Sequence, residues 1–334
     1  MEEAKLIETA AINLTQVLRE AFMMEPPEET VVVFDTDAPL SRIIVEGYRR
    51  AAPNGRFINF AETTPAELLA LFETLKARDL VVLVQSTNFR LSEFRIRIEL
   101  FKRELKTIEH VHLGRLHGHE LATYIDALAY DPNYYRPKGR ALKEKLDRAS
   151  QVVVECDGTA LTYQGGLEET KLNIGDYREM KNVGGLFPIG EVFTEARDLT
   201  KVNGQARIFA FAGDDHLVRR YEPFLVTITD GILTAPDSPA EFQAVLETIK
   251  KDEDLLVREL GFGLNPAMGK DRMIPDINAF ERQQGVHLSI GAKHAIYAKP
   301  GLSRKHGRYH VDIFVDVTDI TIDGESVFTN GAFK

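Results

Sequence analysis

"SQVVVECDGTALTYQ", residues 150–164, marks a change of pattern in this 334-residue chain. Two runs rich in Val, Thr and Tyr flank an Asp-Gly turn, the short-range signature of a β-hairpin. Upstream, strand and helix alternate: "TVVVFD" (30–35), "RFINF" (56–60), "LVVLVQS" (80–86) and "HVHLG" (110–114) read as strands, each followed by a helix-like stretch. An amphipathic helix over 1–24 precedes them, and a later helix opens with the capping box Thr64-Pro65-Ala66-Glu67. This alternation predicts an α/β N-terminal domain with a doubly wound parallel sheet. Downstream, Gly-containing turns ("DGT", "QGG", "VNGQ", "TDG", "IDGES") separate short strands, and a helix near 239–252 follows a second capping box, Ser238-Pro239-Ala240-Glu241. The expectation there is a β-rich, mostly antiparallel α+β C-terminal domain, with the division at 1–149 and 150–334.

Composition narrows the function classes. A chain of this length with 44% hydrophobic residues exceeds what a single core usually organises, hence two domains. The N-terminus "MEEAKLIETAA" is acidic where a secretory signal would be basic and then apolar, and runs such as "LVVLV" (80–84) fall far short of a membrane span. A cytoplasmic location is expected. One cysteine, Cys156, excludes an internal disulfide and any cysteine-rich metal site, leaving His, Asp and Glu as metal ligands. The net charge of −10 argues against a partner held by phosphate contacts and favours cationic ligands, metal ions and free amino termini among them.

The first domain lacks the chemistry of a nucleotide site: no G-x-G-x-x-G follows its first strand, and "VFDTDAPLS" offers aspartates where glycines would approach phosphate. His110, His112, His117 and His119 cluster at "HVHLGRLHGHE", but Thr123 stands where the second His of H-E-x-x-H belongs. Histidines at a strand end and a helix start are the plainer reading.

The C-terminal half is richer. "PIGEVFTEARD" sets Glu191 at the head of an apolar strand, "VRELGFGLNPAMG" does the same with Glu259, and "GVHLSIGAKH" carries His287 and His294. "RYHVDIFVD" (308–316) alternates so that His310, Asp312, Phe314 and Asp316 share one face, with Val311, Ile313 and Val315 on the other. Singly, each is explained by a buried acid paired with a base or a core His bonded to a carbonyl. Together they are several carboxylates and imidazoles in apolar strands, each costly to bury without a cation. Two carboxylates able to bridge, at least two His and an Asp supply ligands for two divalent ions about 3.5–4 Å apart.

The segments "GEVFTEARD", "ELGFGLNPAM", "GVHLSIGAKH" and "YHVDIFVDV", in this order, resemble the thermophilic metalloaminopeptidases of the aminopeptidase T/aminopeptidase S type, over most of residues 150–334. The resemblance implies metal ligation by Glu191, Glu259, His287, His310 and Asp312, a homodimer, and release of N-terminal residues from peptides. It fails at one position: seven residues after its strand His the family typically has Tyr, and this chain has His294, with Tyr297 three residues on.

These readings lead to a two-metal aminopeptidase carrying zinc, cobalt, manganese or magnesium. Turnover is expected to depend on Glu191, and His294 is the acid–base group for the departing amine. Two alternatives stand beside it. One is a ring-cleaving Fe(II) dioxygenase of the 2,5-dihydroxypyridine type, a related branch in which the Glu259 position is a His and the acid at 191 and imidazole at 287 are lost. The other is a non-catalytic metal-binding relative. The basic loop "AKPGLSRKHGRYH" (298–310) adds Arg304, Lys305 and Arg308 as groups for a substrate carboxylate or carbonyl, if they are not simply solvated.

Overall fold

In the computed structural model, residues 2–91, 94–178, 180, 182–213, 215–294, 296–299 and 307–334 are described. The chain divides into two compact units, 1–136 with 175–189, and 137–174 with 190–334. Residues 175–189 thus return to the first unit, which no single cut in the chain provides.

The first unit is built on five parallel strands in the order Gly184–Leu186, Lys106–His110, Leu80–Val84, Thr30–Phe34, Arg56–Asn59. Leu80–Val84 is buried at every position, as a parallel strand covered on both faces must be. Val31, Val33, Val81 and Leu83 pack with Leu68 and Phe72 of the helix Pro65–Thr74 and with Ile96 and Leu100 of Ile96–Lys102. The alternate face meets the helix Pro39–Ala51, whose Tyr48 reaches His110. The Thr64 capping box forms: Thr64 N–H donates to Glu67 Oε2 at 2.8 Å, and Glu67 N–H to Thr64 Oγ1 at 3.3 Å. "HVHLG" is not a strand of its own; it is the end of Lys106–His110, followed by His112 in the left-handed region and a turn of 3₁₀ helix, Leu113–Arg115.

His110 is fully buried between two tyrosines. Tyr124 Oη donates to the Phe187 carbonyl (3.2 Å) and so accepts from His110 Nδ1 (2.8 Å), leaving Nε2 to accept from Tyr48 Oη (2.9 Å). A neutral imidazole satisfies every partner, and burial pushes its pKa down to about 3. Because the folded pKa lies below the unfolded 6.5, the unfolded chain takes up the proton first and stability falls as pH drops from 6.5 toward 3. The cost of His110→Asn, read from urea midpoints, should therefore be smaller at pH 4.5 than at pH 7, by about 2–3 kcal/mol. A cost independent of pH would show that the ring's pKa is not shifted by folding, and a cost larger at pH 4.5 that the ring is charged in the folded protein.

The second unit carries a 13-stranded antiparallel sheet. The stretch 150–164 forms its hairpin, Gln151–Cys156 with Thr159–Gln164, and Cys156 is a buried free thiol. Asp230-Gly231 and Asp323-Gly324 make tight turns with positive φ at both residues. "VNGQ" is not a turn but the start of the long strand Val202–Ala212, where a Cβ on Gly204 would lie 2.2 Å from the Ala160 carbonyl oxygen. The second capping box does not form either. Ser238 Oγ donates to the Ala235 carbonyl (2.8 Å), and the helix Ala240–Lys250 starts at Pro239 without a side-chain cap. Its Phe242 packs against Phe211 and Phe224 instead, at ring separations of 4.9 and 5.0 Å. Among the described residues no helix is long and apolar enough to cross a membrane.

Candidate metal centre

Four neighbouring strands of the second unit, Glu191–Glu195, Val257–Gly263, Gly285–Ile290 and Val311–Val315, build the site. Register brings the predicted residues onto one face. Gly263 pairs with both Glu191 and Gly285, Gly261 with His287, and Ser289 with Asp312. The glycine at 261 makes room: a Cβ there would lie 2.1 Å from His287 Nε2. Ser289 accepts the Glu259 N–H at 3.0 Å and so pins the strand from which that acid projects.

Glu259 stands at the centre. Its Oε1 is 3.2 Å from His287 Nε2 and its Oε2 is 3.0 Å from His294 Nε2, so each oxygen faces a different imidazole. His287 Nε2 also lies 3.5 Å from Glu191 Oε1. His310 Nε2 is 3.2 Å from Asp312 Oδ1, and the His294 and His310 rings are 6.0 Å apart. All six predicted residues therefore meet in one cluster, with Glu191, Glu259, His287, His294 and Asp312 buried.

Hydrogen bonds settle which nitrogen of two rings holds a proton. His310 Nδ1 faces the Lys293 carbonyl at 3.1 Å and must carry a hydrogen, which turns Nε2, the nitrogen a metal would take, toward Asp312 Oδ1. His294 is the opposite: Nδ1 accepts the Ile296 N–H at 3.2 Å, so the hydrogen is on Nε2, toward Glu259. His310 has the posture of a ligand and His294 that of a proton carrier.

The electrostatics are those of crowded acids. Burial raises the Glu191 pKa, and the charges of Arg282 and His287 only partly offset it. Burial also works to raise Glu259, but hydrogen bonds from His287 and His294 prevail and hold it well below the usual range. Burial lowers His287, yet Glu259, Glu191 and Asp312 together leave it raised. His310 is raised to about 10: against the cost of burial, the Asp312 carboxylate holds its proton.

Two residues were not foreseen. Glu281 and Arg282 follow the short helix Ile277–Phe280, and Glu281, Glu191 and His287 place one ligand atom each within 4.8 Å of one another. "ERQQG" has no period or motif that would single it out. Arg282 lies 3.2 Å from Glu191 Oε2.

The donor set fits a divalent metal. It offers carboxylate oxygens and imidazole nitrogens that are mostly buried, and among the described residues His287 Nδ1 makes no hydrogen bond and Asp312 Oδ1 has only its ion-pair contact with His310. Of the other expected groups, Tyr297 sets its ring 4.9 Å from that of His294 but turns its hydroxyl away, and the rest lie elsewhere. Tyr297 donates its hydroxyl to the Glu169 carbonyl (2.7 Å), Asp316 binds Lys270 at 2.7 Å, and Arg308 binds Asp252 at 2.7 Å; Arg304 and Lys305 lie outside the described residues. His117 and His119 are exposed in the first unit.

The chain thus combines a parallel-sheet unit with an antiparallel unit that bears a carboxylate–imidazole cluster. No protein-family model and no curated protein sequence matches the chain. Solved structures do. The chain is similar to 2,5-dihydroxypyridine dioxygenase from Pseudomonas putida KT2440, with a TM-score of 0.64 at 15% identity over 100% of this chain and 98% of that one. It is also similar to wild-type AmpT from Thermus thermophilus, with a TM-score of 0.57 at 14% identity over 98% of this chain and 99% of that one. At these identities the likeness establishes a shared fold.

Proposed function

We propose that this protein is a metal-dependent aminopeptidase that binds two divalent ions. The observation that carries the reading is the position of Glu259, whose two oxygens face different imidazoles. One of these, His287, groups with Glu191 and Glu281, and the other, His294, has its ring 6.0 Å from that of His310, the partner of Asp312. One ion has no use for so many donors, whereas a shared carboxylate and two sets suit a pair. Glu191, Glu259, His287, His310 and Asp312 would hold the metal. Bound there, divalent ions supply a hydroxide near neutral pH and polarise a carbonyl. His294 holds its Nε2 proton over Glu259, placed to pass it to a departing amine. Peptides with a free, cationic amino terminus suit the acidic cluster, and a homodimer goes with this reading.

A second reading is favoured by the higher TM-score to the dioxygenase. There His310 and Asp312 would be two of the three ligands of a single Fe(II), with imidazole His294 beside them. Elemental analysis of protein purified without chelator, with leucine p-nitroanilide hydrolysis and oxygen uptake on 2,5-dihydroxypyridine assayed in parallel, separates the two. About two metals per chain with peptidase turnover is the expected result. One iron with oxygen uptake would replace the hydrolase reading, and no metal under any loading condition would end both.

A further inference from the structure

We propose that Arg282 makes the two metal positions unequal and sets the order in which they fill. The inference rests on the two-metal reading. Arg282 is a buried guanidinium beside the acids of one ligand group only: it lies 3.2 Å from Glu191 Oε2 and also contacts Glu281. Its Nη1 donates to the Asn278 carbonyl at 2.8 Å, which holds the fork in place. Arginine keeps its charge at any accessible pH, so a cation is permanently resident in the group formed by Glu191, Glu281 and His287.

The other group, among the described residues, has no such occupant. Among the described residues, Glu259 pairs only with His287 and His294, and Asp312 only with His310. An imidazole can itself be a ligand of an incoming ion, and a guanidinium, with no lone pair to offer, cannot. An ion entering beside Glu259, His310 and Asp312 therefore meets acids whose neighbours are themselves donors. An ion entering beside Glu191 must share that carboxylate with a fixed positive charge a few ångströms away, in a buried setting where solvent and salt screen little. Charge counting agrees. Glu191, Glu259, Glu281 and Asp312 carry four negative charges when ionised, which two divalent ions alone would neutralise; Arg282 already neutralises one. The first ion goes to the Glu259, His310 and Asp312 side, and the second binds at least about a hundredfold more weakly.

Isothermal titration of Zn²⁺ into chelator-stripped protein tests this. The wild type should give two events of separate affinity. Arg282→Gln, which removes the charge and keeps a hydrogen-bonding side chain, should tighten the weaker event at least about tenfold and leave the tighter one unchanged. Glu191→Gln, which can still bond to Arg282, should lose the weaker event and keep the tighter one within about threefold; it serves as the independent variant if Arg282→Gln does not fold. Equal shifts of both events in Arg282→Gln, no shift in either, or loss of the tighter event in Glu191→Gln would each overturn the role of Arg282 while leaving two-metal binding intact. A single event of one ion in wild type and Arg282→Gln alike, or no binding, would overturn the two-metal reading and this inference with it.

Discussion

Glu259→Ala is expected to lose metal and turnover together. The two oxygens of Glu259 contact different imidazoles, His287 at 3.2 Å and His294 at 3.0 Å. Replacing an outer partner of a metal ligand typically costs 10–100-fold, so loss of the shared carboxylate should cost at least about a thousandfold in kcat/KM. Metal content should fall from about two ions to one or none. The fold should survive, because Ala at this position removes a buried acid and leaves its Ser289 anchor, made through the backbone N–H, in place. Elemental analysis, circular dichroism and peptidase assays on one preparation give the answer. A folded Glu259→Ala protein with undiminished metal and turnover would remove Glu259 from the centre of the site and the proposed function with it.

Arg258→Met is expected to be the most destabilising single change. Arg258 is 2% exposed and its Nη2 lies 2.9 Å from Glu195 Oε2, on a side chain that is 0% exposed. Lys299 closes the group at 3.4 Å from Glu195 Oε1 and 2.5 Å from Glu168. Removing the guanidinium leaves a fully buried carboxylate with one distant partner, which costs about 3–5 kcal/mol in comparable pairs. The same guanidinium donates to the carbonyls of Ala292 (2.7 Å) and Tyr297 (3.2 Å), on either side of His294. The His294 segment is thus tied to the sheet by a buried ion pair. Urea unfolding measures the cost, and Arg258→Met combined with Glu195→Gln should cost less than the two single changes added together. A penalty under about 1 kcal/mol would mean that the pair is solvated in the folded protein.

Much of the site was legible because burial of charge is expensive. Glu191, Glu259, His287, His310 and Asp312 sit in apolar, β-branched strand segments, and a chain has little reason to put them there without a shared purpose. Alternation along 308–316 placed His310 and Asp312 on one face, and their 3.2 Å separation follows from that spacing. Glu281 and Arg282 carry no such mark. They reach the cluster because the short helix before the Gly285–Ile290 strand turns them inward beside Glu191, a residue 90 positions earlier in sequence. The proton positions on His294 and His310 were equally hidden, since each depends on a backbone group of a loop, Ile296 N–H and the Lys293 carbonyl.

The sequence by itself determined the local elements: the βα alternation before residue 150, the Thr64 capping box, the Asp-Gly hairpins and the antiparallel character beyond. Each of these is decided within a few residues, by side-chain period, cap chemistry or turn conformation. Tertiary structure decided the rest. It took Ser238 from its helix cap to the Ala235 carbonyl, used Gly204 for close approach to Ala160 inside a strand, and returned 175–189 to the first unit as an added parallel strand. It also set a permanent cation beside one half of an acidic cluster. These outcomes come from strand register and packing between distant segments, whose energies exceed the fraction of a kcal/mol to about 1 kcal/mol by which local signals act.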